Sequence, residues 1–125
     1  MFGFEDLEVY KAARKLRRAL YGIARRLPDD ERFGLALQMR RAAVSLTSNL
    51  AEGHGRHHWQ ENMQFCRQAR GSLMELMDDL NTCLDEGYGS ADHLGAVRTQ
   101  GGEVLRLLNG YIAYLRKQKL KADGS

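Results

Sequence analysis

Proline is nearly missing: Pro28 is the single one in 125 residues. A chain with one proline and many Leu, Ala, Arg, Glu and Gln residues favours helix over sheet, because these side chains lose little freedom on a helix. Cysteine is almost as scarce. Cys66 and Cys83 are seventeen residues apart on what reads as one helix, about 25 Å at 1.5 Å rise per residue, so they cannot pair within it. Both fall on apolar positions, which points to reduced, buried thiols and a cytoplasmic setting. No apolar run reaches membrane-spanning length, and Met1 to Asp6 lacks a basic region followed by an apolar stretch, so neither a membrane partner nor a secretory leader is expected. Also missing are a His-Glu-x-x-His pair, a nucleophile elbow, and any zinc-finger, helix-turn-helix or RNA-recognition signature. Sequence-specific base reading and the common catalytic constellations have no motif to stand on, and nothing calls for a cofactor.

What is present is helical periodicity. The length suits one domain, 1–125. Leu7, Tyr10, Ala13, Leu16, Leu20, Ile23 and Leu27 share one face, which predicts a helix over about 5–27 with Asp6 as its cap and Phe4 packed back on its first turn. Pro28, Asp29 and Asp30 end it and open a second helix over about 30–53, whose core positions are Leu35, Met39, Ala42, Ala43, Leu46 and Leu50. The Gly53 to His58 segment breaks that helix. A third follows over about 58–86 on Ala69, Leu73, Leu76, Leu80 and Cys83, and a fourth over about 90–117 on Leu94, Val97, Val104, Leu108, Ile112 and Leu115. Residues 118–125 read as a frayed tail. Four amphipathic helices with short connections specify an all-α, antiparallel up-down-up-down four-helix bundle.

The segment Gln38 to Gly53 is the unusual one, mixing small residues, paired arginines and an Asn. Its polar members Ser45, Asn49 and Glu52 are expected to form a polar core seam with the third helix. There Gly71-Ser72 should face the small residues, and Glu75 should pair with Arg40, Arg41 or Asn49. Such a seam locks helix against helix.

Charge is distributed unevenly. Glu8 to Arg41 holds 10 basic and 4 acidic residues, whereas Glu75 to Glu86 holds five acids and no base. Lys11, Arg14, Lys15, Arg18 and Arg25 line the outer stripe of the first helix, and Arg40 and Arg41 extend it. These seven are the candidate contacts to RNA or DNA phosphates, with a merely solvated face as the other reading. His54, His57 and His58 with Glu61 are the nearest approach to a metal site, and a polar loop is the preferred reading. A metal-dependent hydrolase built on them is the enzymatic alternative. Trp59, Tyr88, Tyr111 and Tyr114 read as closing bundle ends or filling subunit contacts, with base stacking as the alternative.

Several segments together resemble a known family: Phe4-Glu5-Asp6-Leu7, Leu27-Pro28 with Glu31 and Gly34-Leu35, Gln38 through Ser-Asn-Leu-Ala-Glu-Gly53, and Ala69-Arg70-Gly71-Ser72-Leu73-Met74-Glu75-Leu76. The pattern is similar to the bacterial four-helix-bundle proteins encoded in intervening sequences of 23S ribosomal RNA genes, also labelled S23 ribosomal protein. The resemblance spans roughly residues 4–115. It implies a four-helix bundle, assembly into homopentameric rings, and kinship to accessory proteins of diversity-generating retroelements, which bind nucleic acid and a reverse transcriptase. Where that family often carries Ile-Pro, this chain has Leu46-Thr47, so a straighter second helix is expected. The function that follows is a non-catalytic ring with a basic surface for RNA or DNA. A structural module that docks a partner protein is the alternative.

Overall fold

A computed structural model describes residues 2–124, and among these every regular element is helical. Four long helices follow in order: α1 (Glu8–Arg26), α2 (Leu35–His54), α3 (Trp59–Asp85) and α4 (Ala91–Gly124). Each packs on two neighbours, α1 on α2 and α4, α3 on α2 and α4, with the α2–α3 pair the most extensive. The diagonal helices are not backbone neighbours among the described residues. That is the expected antiparallel four-helix bundle.

The core follows the periodicity. Ala13, Leu16, Leu20, Met39, Leu46, Leu50, Leu73, Leu76, Val104 and Leu108 are fully buried. Leucines a turn apart on each helix join one buried cluster, and burying each is worth roughly 1.5–3 kcal/mol relative to leaving it in water.

The helix ends show what local chemistry decided. Leu27 is extended (φ −68°, ψ 152°), as a residue before proline must be, so α1 stops at Arg26. Asp29–Glu31 then form a separate short 3₁₀ turn, and α2 begins at Leu35 rather than near residue 30. Glu31 is the reason: its Oε1 accepts the Leu35 amide at 3.3 Å and its Oε2 accepts the Tyr88 hydroxyl at 3.0 Å. One carboxylate thus caps α2 and ties it to the α3–α4 turn, where Gly87 and Gly89 adopt positive φ that other residues resist. At the other end, Gly3–Asp6 form their own turn and Leu7, not Asp6, precedes α1, with no side-chain cap. Phe4 does pack back, edge-on to Tyr10 at 4.9 Å.

α4 continues to Gly124, beyond the end expected near residue 117. Its final segment, Gln118-Lys119-Leu120-Lys121-Ala122, consists of good helix formers and carries an i, i+4 pair, Lys119 to Asp123 at 2.8 Å, the spacing that supports an exposed turn. Of the tail read as frayed, Ser125 lies outside the described residues.

Candidate nucleic-acid interface

α1 presents its cations as the spacing required. Val9, Ala13, Leu16, Leu20 and Ile23 are buried, which turns Lys11, Arg14, Lys15, Arg18 and Arg25 outward, all exposed. Lys11 pairs with Glu8 at 3.3 Å, an exposed pair of small energetic weight. Among the described residues Arg14, Lys15, Arg18 and Arg25 make no ion pair. Arg17 differs: half-buried, it donates to Thr47 Oγ1 at 2.7 Å, and Thr47 donates in turn to the Val44 carbonyl at 3.2 Å. Thr47 stands where proline was missed from the family pattern, and its hydroxyl joins α1 to an unbroken α2.

Arg40 is half-buried and Arg41 exposed. Arg40 shares a small cavity of about 230 Å³ at the α1–α2 corner with Arg25, Arg32 and Asp29. Three guanidinium groups thus line one concavity with a single acid. Arg32 reaches it from the turn, its guanidinium 5.5 Å from the Phe33 ring. It was not among the predicted residues, because its position depends on how the turn after Pro28 folds. Arg41 faces a different groove, of about 500 Å³ between α2 and α3, along with Leu37, Gln38, Ser45, Ser72 and Glu75.

The polar seam keeps Ser45, Asn49 and Ser72 of its expected members and loses the others. Ser72 donates to Ser45 Oγ at 2.9 Å, and Asn49 Nδ2 donates to Ser45 Oγ at 3.0 Å and to the Ser45 carbonyl at 2.8 Å. Ser45 therefore gathers both neighbours. Gly71 does not face α2: it is exposed, and a Cβ there would meet nothing within 4 Å. Between α2 and α3 the close-approach glycine is Gly53, where a Cβ would come within 2.8 Å of Asn62 Oδ1 and Phe65 Cβ. Glu75 is also exposed and makes no ion pair among the described residues. One turn on, Asp79 is the buried acid, 1% exposed, with Oδ1 accepting Gln38 Nε2 at 2.7 Å. Glu52 is a surface residue that pairs with Arg56 at 3.3 Å.

The histidine loop gathers no ligand set. Among the described residues no three His, Cys, Asp or Glu side chains converge on a common point. Glu61 turns toward Arg56, 3.9 Å away, and His54 Nδ1 lies 3.5 Å from the Tyr111 hydroxyl. Both cysteines are buried and free, and burial pushes the Cys66 thiol up to about 11, so neither is poised as a nucleophile. No helix among the described residues is long and apolar enough to cross a membrane.

Comparison with known proteins adds one match: the family model described as 23S rRNA-intervening sequence protein covers residues 5–110. A search of curated proteins finds no match to the chain.

Proposed function

This chain belongs to the 23S rRNA-intervening sequence protein family, and from that premise we propose that it is a non-catalytic, self-assembling bundle whose basic face holds RNA or DNA by the phosphates. One observation carries the nucleic-acid reading. The outer stripe of α1 is a row of exposed cations, four of which have no ion-pair partner among the described residues, and it leads into the arginine-lined corner cavity. Like charges drawn together with so little acid are stabilised by a polyanion, and phosphate contacts of this kind are strong at low salt and carry no sequence information. Arg25, Arg32 and Arg40 add the forked donors that fit phosphate oxygens.

Self-association is supported by a different surface. The outer face of α2 carries Leu37, Val44 and Ala51 at seven-residue intervals, with Val44 exposed and Phe33 beside them 82% exposed. An exposed phenylalanine and valine rimmed by Arg41, Ser48 and Glu52 form the kind of patch that another chain covers. A closed ring of like copies, five by family resemblance, covers it with one repeated contact. A partner protein seated on the same face is the second reading, favoured by the same exposed Phe33 and Val44. Buried, unpaired Cys66 and Cys83 fit a cytoplasmic setting.

Filter binding of short RNA and DNA across a salt series tests the claim. The expected result is retention at low salt, with log K falling linearly against log salt, and a slope shallower by about 2–3 for the Arg14→Ala/Lys15→Ala/Arg18→Ala variant. Failure to retain either nucleic acid at low salt sinks the phosphate reading and leaves the docking module.

A further inference from the structure

The far end of the bundle, where α2 hands over to α3, holds a cavity that the α1 stripe does not use. Its volume is about 450 Å³, and Trp59, Tyr111, Tyr114 and the loop histidines line it. The size falls within the range of small-ligand sites. One wall is fixed from beneath. Asn62, 5% exposed, donates from Nδ2 to the Tyr111 hydroxyl at 3.1 Å, while its Oδ1 accepts the Cys66 thiol at 3.6 Å. Tyr111 therefore has a set orientation, and Tyr114 lies nearly parallel to it, centroids 6.4 Å apart and planes 11° from each other.

The other rings are open to solvent. Tyr114 is 52% exposed and Trp59 39%, so aromatic area is left uncovered around a concavity with hydrogen-bonding groups at its rim. His57 and His58 stand there, and His54 approaches the Tyr111 hydroxyl. Charge is arranged alongside. Arg56 is engaged by Glu52 and Glu61 and lies 4.9 Å from the Phe65 ring, so it is not the free cation. Those come from α4 just past the cavity, where Arg116, Lys117 and Lys121 are exposed.

We infer that this end cavity takes an unpaired nucleobase, stacked on Trp59 or Tyr114, so that the protein prefers single-stranded to duplex nucleic acid. Sites for single strands combine aromatic faces with cations that track the backbone, and every base has a face to offer. A duplex keeps its bases stacked inside and can reach only the cations. The rim is polar as well as aromatic, with the exposed imidazoles of His57 and His58 beside the rings, so a base, which offers hydrogen-bonding edges as well as a face, suits it better than a purely apolar occupant. The inference rests on the protein being a nucleic-acid binder, but it concerns a separate surface and is separately testable.

Trp59 is the only tryptophan, so its emission reports on the cavity alone. The full chain is titrated with a short single-stranded oligoadenylate and with a mixed-sequence duplex of equal length, each end-labelled so that anisotropy reports binding independently. The single strand is expected to quench Trp59 saturably, and the duplex to bind without quenching. Tyr114→Ala, at a half-exposed position and checked for helical circular dichroism, is expected to weaken the single strand about tenfold and leave the duplex unchanged. If both probes bind while Trp59 emission stays constant, the cavity is overturned and the α1 interface stands. If neither binds, both are overturned.

Discussion

Asp79 shows how much a single side chain can impose on the bundle. It is 1% exposed, its Oδ1 accepts from Gln38, and its Oδ2 has no hydrogen-bond partner among the described residues. Burial pushes its carboxyl up to about 6. The Gln38 hydrogen bond opposes that, and the neighbouring Glu75 and Asp78 charges add to it. An unfolded Asp titrates near 3.8, so between those two values the folded state binds the more protons. Stability from this group is therefore fully present below about pH 4, falls as pH rises toward 6, and stays lower at neutrality, by an order-of-magnitude penalty of about 3 kcal/mol. Asp79→Asn removes the charge while keeping the shape. Thermal melts are expected to show the variant gaining stability over the parent at pH 7 and gaining nothing at pH 4; a gain independent of pH would refute the account. The sequence placed a buried carboxylate on this helix but at Glu75, since periodicity alone cannot say which of two acids one turn apart faces the seam.

Within the helices, two glycines carry opposite meanings. Gly53 allows α2 to come against Asn62 and Phe65 of α3, with no room for another carbon, whereas Gly71 faces open space. Alanine at 53 must push apart a packed contact, at roughly 1–3 kcal/mol. Alanine at 71 only restricts the unfolded chain and improves the helix, by about 0.5–1 kcal/mol. Urea melts of Gly53→Ala and Gly71→Ala should therefore move in opposite directions, and equal losses would mean that Gly71 is also packed. Gly71-Ser72 was legible as a feature of the α2–α3 contact, yet only Ser72 takes part in it. Adjacent residues on a helix point about 100° apart, and a dipeptide cannot present both members to one neighbour.

Across the whole molecule, the end with the α1–α2 and α3–α4 connections carries Asp29, Asp30, Glu31, Asp85 and Glu86 beside Arg25, Arg26 and Arg32, while the opposite end carries the loop histidines and the lysines that finish α4. Antiparallel topology produces this separation, because each end collects alternate connections. The proposed ring would use the exposed Phe33 and Val44 on the outer side of α2, since a head-to-tail contact repeated between copies closes when its rotation allows. Multi-angle light scattering is expected to give a closed oligomer for the parent chain and a smaller species for Val44→Asp, with helical content preserved. A parent that runs as a strict monomer would remove the ring.

The sequence by itself determined the four helices, their order, the bundle class, the family and the cationic stripe of α1. Each follows from local spacing: a period of 3.6 residues places apolar and charged side chains on opposite faces without reference to any partner. Tertiary structure alone decided that Asp79 and not Glu75 is buried, that Gly53 and not Gly71 is the close approach, that Glu52 belongs to the surface, and that Arg32 joins Arg25 and Arg40. The same holds for the end cavity, whose residues come from the α2–α3 loop and from Tyr111 and Tyr114 some fifty residues away. Those outcomes depend on the rotation of one helix against another and on how a turn redirects the chain, and both are set by packing between segments distant in sequence.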